Sequence, residues 1–258
     1  MAGLERARRY ADKRKRRGRG GFTPYQLSKI SGWLRLAAST TVSSEWQTVV
    51  DVLNGAAPMA QTDADRYPAV GAAANGLPTM VLDASDVMLW PLSPSRTSTT
   101  KLGIWIWYKP ATVAGFQTLY FDTTRRLVIY ANGSTVQARA YRDAFNGRTG
   151  TTPASTLTAG AWHSIYYPYD FAQTGDDKIK LWVNAAAQSL IYADDGAGGY
   201  GSGLQAAAGS ACVGAETDSD TPTRPVANGG LIGPNIFAFN DNLTQAEIDA
   251  LHGFERPT

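Results

Sequence analysis

The sequence predicts an all-β protein: one antiparallel β-sandwich over residues 22–258, closed by a short C-terminal helix and preceded by an extended basic arm over residues 1–21. Three observations predict it. Strand-favouring aromatics are plentiful (7 Trp, 12 Tyr, 8 Phe) while only 18% of residues are charged, and long Leu/Ala/Glu/Lys stretches are nearly absent. Short apolar runs separated by Gly, Pro, Asn and Asp recur along most of the chain, the punctuation of short strands and turns. The charge is also divided. Residues 1–20 hold nine Lys/Arg against Glu5 and Asp12, a net +7, whereas the other 238 hold 15 basic and 20 acidic residues, a net −5. All-β sandwiches commonly reach ~200–250 residues as one domain, so this length asks for no second core.

The arm carries Arg6, Arg8, Arg9, Lys13, Arg14, Lys15, Arg16, Arg17 and Arg19. Glu5/Arg9 and Arg8/Asp12 have the i,i+4 spacing of a short helix. Repulsion within Lys13–Arg17, and glycines at 18, 20 and 21, instead predict an extended segment until something anionic binds it. Such an arm docks on an acidic protein surface, or it neutralises phosphates without reading sequence. Nucleic-acid binding through it is therefore expected to be non-specific and salt-sensitive.

Beyond Phe22 the elements follow in order. Gly32–Leu36 is a short strand, followed by a polar stretch with Trp46, Val49 and Val50 and by loop-rich chain to Asn75. Thr79–Leu82 and Val87–Trp90 are short strands. Lys101–Tyr108 (KLGIWIWY) is apolar on both faces, which predicts a central strand covered on both sides. Thr118–Asp122 and Leu127–Ala131 follow, and Asn132-Gly133 between LVIYA and TVQARAY predicts a type I′ hairpin, since both turn positions need φ > 0. Trp162–Tyr169 and Lys178–Val183 add two strands, the latter alternating Ile179, Leu181 and Val183 with Lys180 and Trp182. A Gly/Ala-rich connection spans Asp194–Ser210, and strands are expected at Ala211–Gly214 and Leu231–Asn240. Thr244-Gln-Ala-Glu247 is a capping box that opens a helix with Ile248, Leu251 and Phe254 on its apolar stripe.

Several chemistries are excluded or disfavoured. Cys212 is the single cysteine, so no intrachain disulfide or cysteine-based metal cluster forms. His163 and His252 lie far apart in sequence, which disfavours a His-based zinc site. No apolar run spans a membrane, and the basic N-terminus has no apolar region behind it, so no membrane partner and no conventional export are expected. A retaining glycosidase needs two carboxylates ~5–5.5 Å apart. The expected strands contain no Asp/Glu pair at the same-face i,i+2 spacing; Glu216, Asp218 and Asp220 have it only in a Thr/Ser/Pro-rich loop. His163 and Ser164 should point to opposite faces of their strand. The expectation is a protein that is not an enzyme.

Two binding chemistries are left. Aromatics that stack on pyranose rings are the mark of a glycan site, and Tyr166, Tyr169, Tyr192 and Tyr200 are the candidates, within a Tyr/Phe-rich stretch that includes Tyr167 and Phe171. Trp105, Trp107, Trp162 and Trp182 are assigned to the core. No cofactor or metal is expected. Asp218 and Asp220, with Asp122 and Asp241, are the loop carboxylates that a Ca²⁺ ion, implied only by the family resemblance given next, would draw on.

The order of motifs resembles a known family. Ala161-Trp162-His163-Ser-Ile-Tyr-Tyr-Pro-Tyr169-Asp170, then Ile179-Lys-Leu-Trp-Val183-Asn184, Val213-Gly214 and the closing Leu243–Leu251 segment resemble the concanavalin A-like, laminin-G-like jelly-roll domain. Ala185 stands where that family usually has a turn glycine. Trp33-Leu34-Arg-Leu36, Trp46, Arg66-Tyr67-Pro68, Asn75-Gly76-Leu77-Pro78 and Val81-Leu82-Asp83-Ala84-Ser85-Asp86 look like the version found in tailed-bacteriophage structural proteins. The resemblance covers roughly Phe22 to Phe254. It implies a lectin-like jelly-roll sandwich with one of two roles. The first is a structural virion protein (a head decoration, head fibre, or neck or tail component), oligomeric in the particle and anchored to capsid, neck or tail proteins through the arm. The alternative is a carbohydrate-binding module for host or surface glycans. Fold alone does not decide between them.

Overall fold

The computed structural model describes residues 24–42, 45–53, 59–60, 67–82, 86–91, 101–122, 127–141, 147–170, 172–195, 210–215 and 230–258. The basic arm, Tyr200, Asp218 and Asp220 lie outside the described residues.

The first third holds β1 (Ile30–Arg35), β2 (Thr40–Val42), β3 (Glu45–Val49), β4 (Met59–Ala60), β5 (Ala69–Ala74), β6 (Leu77–Leu82) and β7 (Met88–Pro91). The middle holds β8 (Lys101–Lys109), β9 (Phe116–Asp122), β10 (Leu127–Asn132), β11 (Thr135–Tyr141), β12 (Gly147–Thr151) and β13 (His163–Asp170). β14 (Trp182–Val183), β15 (Ala186–Ala187), β16 (Ile191–Asp195), β17 (Ser210–Val213) and β18 (Gly230–Phe239) follow, and one helix, Gln245–Gly253, closes the chain.

Pairing is antiparallel throughout and resolves into two layers. One sheet is centred on β18, which pairs with β6 and β1 on one side and β8 on the other. It continues through β13, β14 and β15. The other runs β7–β17–β9–β10–β11–β12–β16. The short strands β3 and β4 join the two along one side.

Between the layers sits the main core. Leu102, Ile104, Ile106 and Tyr108 of β8 and Ile165, Tyr167 and Tyr169 of β13 meet Leu119, Ile129, Val136, Ala138 and Val213 of the facing sheet. The opposite face of β8 is buried as well, as KLGIWIWY predicts, because Trp105 and Trp107 lie under the helix with Ile248, Leu251 and Phe254. There the register lines up one aromatic per strand: Trp33, Phe237, Trp105, Tyr166 and Trp182 are successive cross-strand partners. The Trp33 and Phe237 rings lie 5.4 Å apart, and those of Trp105 and Tyr166 lie 6.0 Å apart. Each such pair contributes ~0.5–1.5 kcal/mol beyond its buried area. Trp162 and Trp182, assigned to the core from sequence, are instead half-buried at the rim of this cluster.

Three turns show how local chemistry sets the path. Asn75 and Gly76 both take left-handed φ (52° and 74°) in the β5–β6 hairpin, the two-residue type I′ pattern. The β10–β11 hairpin departs from expectation. Asn132 pairs with Thr135 and stays in the strand, so the loop is Gly133-Ser134 with only Gly133 left-handed (φ 56°), the type II′ pattern. Asn184-Ala185 keeps the type I′ form without glycine, at φ 53° and 64°. Lys178–Val183 also differs from the expected continuous strand. Gly175–Lys178 is a 3-10 turn, and strand pairing beyond an isolated bridge at Ile179 begins only at Trp182. Asp176 and Asp177 secure that turn by ion pairs to Arg148 and Lys180.

The helix forms as predicted. The Thr244 hydroxyl accepts from the Glu247 amide while the Glu247 carboxylate accepts from the Thr244 amide at 2.7 Å. Lys29 reaches the same carboxylate at 2.8 Å and ties the entry into β1 to the helix start.

Candidate functional site

Side chains on directly paired residues of an antiparallel sheet share a face, so the registers fix what each broad face presents. On the outward side of the second sheet, one row reads Leu89, Cys212, Phe121, Val128, Arg139, Thr149 and Ala193. The next reads Thr118, Tyr130, Gln137, Thr151 and Ile191. The face divides in two. Cys212, Phe121, Val128, Thr118 and Tyr130 are buried, and Phe116 lies 4.5 Å from the Tyr130 ring. Gln137, Arg139, Thr149 and Thr151 are half-buried, and Ile191 is 71% exposed. With strands ~4.8 Å apart and same-face residues ~6.7 Å apart along a strand, β11, β12 and β16 present a polar tile of about 7 by 10 Å, the footprint of a mono- or disaccharide. It offers a carboxamide, a guanidinium and two hydroxyls beside an exposed aliphatic side chain. Such groups hydrogen-bond sugar hydroxyls and carboxylates.

The sequence hides this site in plain alternation. In Thr135–Tyr141 the small or apolar Val136, Ala138 and Ala140 point inward, and the residues between them point out. Cross-strand pairing, which no local pattern reveals, brings Gln137 and Arg139 next to Thr149, Thr151 and Ile191.

The predicted glycan contacts fare differently. Tyr166 and Tyr169 are 0% and 1% exposed and present no ring face to a ligand. Their strand is covered on both sides, by the helix and by the facing sheet. The Tyr166 hydroxyl accepts from the Leu243 amide at 2.9 Å, and burial pushes both phenols far up from their ordinary pKa. Tyr192 packs against the main core at the open rim of the sandwich and donates to the Ile179 carbonyl at 3.0 Å. Arg148 lies over its ring at 5.9 Å, gripped by Asp176 through two hydrogen bonds and by Asp194 through one. Asp241 pairs with Lys101 at 2.9 Å. Among the described residues no group of three or more His, Cys, Asp or Glu is placed to hold a metal ion, and no helix is long and apolar enough to cross a membrane.

His163 and Ser164 diverge as expected. Ser164 meets His252 across the helix interface, Oγ to Nδ1 at 2.8 Å. Ser164 is 1% exposed, so this pair clamps the helix to the sheet and offers no nucleophile to a substrate.

No family model matches the chain, and no curated protein is significantly similar to it. Solved structures do share its fold. The botulinum neurotoxin type G receptor-binding domain aligns with a TM-score of 0.59 at 9% identity over 87% of this chain and 51% of that one. The serotype D ligand-binding domain in complex with N-acetylneuraminic acid aligns at 0.57 and 9%, over 87% and 50%. Trypanosoma rangeli sialidase aligns at 0.55 and 11%, over 88% and 32%. The chain thus spans about half the length of the neurotoxin domains and a third of the sialidase. These likenesses establish a β-sandwich of the lectin-like, jelly-roll kind. They do not single out its bacteriophage version.

Proposed function

We propose that this chain is a carbohydrate-binding domain that takes a glycan on the outward polar tile of β11, β12 and β16. The observation that carries the reading is the half-exposed set Gln137, Arg139, Thr149 and Thr151 beside Ile191, on a face whose other half, Cys212, Phe121, Val128, Thr118 and Tyr130, is buried. Two of the structurally similar toxins support it. The serotype D domain was solved with N-acetylneuraminic acid, and cell entry of the type C neurotoxin depends on interaction with two ganglioside molecules. Arg139 makes carboxylated glycans the first class to test. A glycan array followed by calorimetry tests it, with Arg139→Ala and Gln137→Ala each expected to weaken binding about tenfold or more, or ~1.4 kcal/mol. Binding to no glycan, or binding unchanged in both variants, removes the reading. The role proposed is binding without catalysis, so a fluorogenic sialoside should not be turned over.

The division of charge favours a second reading, compatible with the first: a displayed domain of a bacteriophage virion, anchored to capsid, neck or tail proteins by Arg6–Arg19. Purified protein with and without residues 1–20 should differ in joining a larger particle. Equal assembly of the two forms would sink that anchor role.

A further inference from the structure

The two histidines of this chain, 89 positions apart in sequence, meet at one joint. His163 is 5% exposed and sits at the start of β13 with its ring between two donors. Its Nδ1 lies 3.2 Å from Asn184 Nδ2, an amide nitrogen that carries hydrogens and accepts none. Its Nε2 lies 3.0 Å from the Thr158 amide nitrogen and 3.3 Å from the Thr158 carbonyl. Asn184 cannot turn its side chain over to help, because its Oδ1 already accepts from the Ser164 amide at 3.2 Å. A neutral ring accepts at one nitrogen only: with Nδ1 bare it takes the Asn184 N–H, and the proton on Nε2 faces the Thr158 carbonyl in place of accepting from the Thr158 amide. An imidazolium sets an N–H on Nδ1 against the Asn184 N–H, with no acceptor in place.

Asn184 is also the first residue of the left-handed turn Asn184-Ala185. The Ala185 carbonyl accepts from Gln245 at 2.8 Å, and the same Gln245 side chain accepts from the Trp182 indole at 3.0 Å. His252, in the last turn of that helix, stacks on Trp107 at 5.2 Å and meets Ser164 Oγ. Thus Ser164 and Asn184 connect one histidine to the other, and through Gln245 to the helix N-terminus.

We propose that His163 is the proton-sensitive element of a joint that holds the Asn184-Ala185 turn and the C-terminal helix on the sheet, and that protonation loosens both. His252 is the milder partner. A Ser164 hydroxyl can reverse its bond to a protonated Nδ1, and the Trp107 face accommodates a cation. The groups facing each ring support this ranking. His163 has its cross-strand neighbour Tyr108, held un-ionised by burial, together with Thr158 and Asn184. His252 has Trp107 and Ser164 on the sheet, with Asp249 and Arg256 acting on it in opposite senses from its own end of the chain. Burial holds both rings below the ordinary histidine value of 6.5.

The sign follows. A histidine depressed in the folded state is protonated first in the opened state, so the closed joint is fully favoured above pH 6.5 and loses ground as pH falls below it. The loss is at most about tenfold per pH unit for each histidine, and ends at the folded pKa. This device does not depend on glycan binding. The test is NMR on the intact protein between pH 7.5 and 5.0. Imidazole titrations give each folded pKa and tautomer, and amide hydrogen exchange follows Ala185 and residues 245–253. Expected are a His163 pKa below 6.5 with the proton on Nε2, and turn and helix protection that falls at least tenfold on acidification while β8 stays protected. His163→Gln, whose amide can keep one acceptor in place, should flatten the dependence. Protection unchanged over that range, or a His163 pKa at or above 6.5, overturns the proposal. So does a His163→Gln variant that keeps the full pH dependence.

Discussion

Ala185 shows how much one side chain can cost. A β-carbon at φ 64° crowds its own carbonyl, a penalty of about 1 kcal/mol that glycine escapes. The Val183–Ala186 pairing, the hydrogen bond from Gln245 and the packing of Ala185 on the aromatic cluster together hold it there. Ala185→Gly should therefore stabilise the fold by about 0.5–1 kcal/mol, read as a shift in urea midpoint without a change in slope. An unchanged midpoint would mean that the lost methyl packing equals the relieved strain. Gly233 is the opposite case. At φ 111° any β-carbon would lie 2.5 Å from Leu36 Cδ1, so the bend between the two pairing segments of β18 needs glycine. Ala185 stands out in the sequence as a departure from the resembling family, but what holds it does not, because the Gln245 contact comes from a helix sixty residues away.

At the scale of the element, the parts written in local chemistry were legible. The capping box at Thr244, the double-sided strand at Lys101 and the opposed directions of His163 and Ser164 each follow from a spacing rule, and the structure shows all three. Thr244→Ala removes the hydroxyl acceptor of the Glu247 amide and should cost about 1 kcal/mol, with helix amides exchanging faster than those of β8. Equal acceleration in both would show that the helix opens only with the whole domain. What was not legible depended on partners remote in sequence. The aromatics of His163–Asp170 look equally suited to stacking on a sugar or filling a core until the covering of both faces is known. Gln137 and Arg139 looked like the ordinary polar side of a strand, since their neighbours come from β12 and β16.

At the scale of the whole molecule, the basic arm and the acidic body are plain from charge alone, and the sandwich from its aromatic composition and its short, turn-bounded apolar runs. Which face stays open is not, because it depends on where the C-terminal helix docks. That docking leaves a second pH signature, separate from the histidine joint. Burial acts to raise the Asp241 and Glu247 carboxyls, but hydrogen bonds from Lys101 and the Asn242 amide to the one, and from Lys29 and Thr244 to the other, together with the lysine charges outweigh it, and both lie below their ordinary values. Carboxylates depressed in the folded state add stability above the unfolded value near 4 and lose it as pH falls through the folded one. Urea midpoints should thus drop in two steps, a first below pH 6.5 from the histidines and a second below about pH 4. A single step confined to the acid side would count against the joint. The five-strand aromatic row has an optical consequence. Rings packed at fixed tilts across a sheet couple their transitions, so the near-ultraviolet circular dichroism of this protein should be dominated by that one face. Because Trp107 rests against His252, its fluorescence should register the protonation of that ring, giving the helix-covered side a built-in dye while the proposed sugar face, which has no tryptophan among its described residues, stays dark.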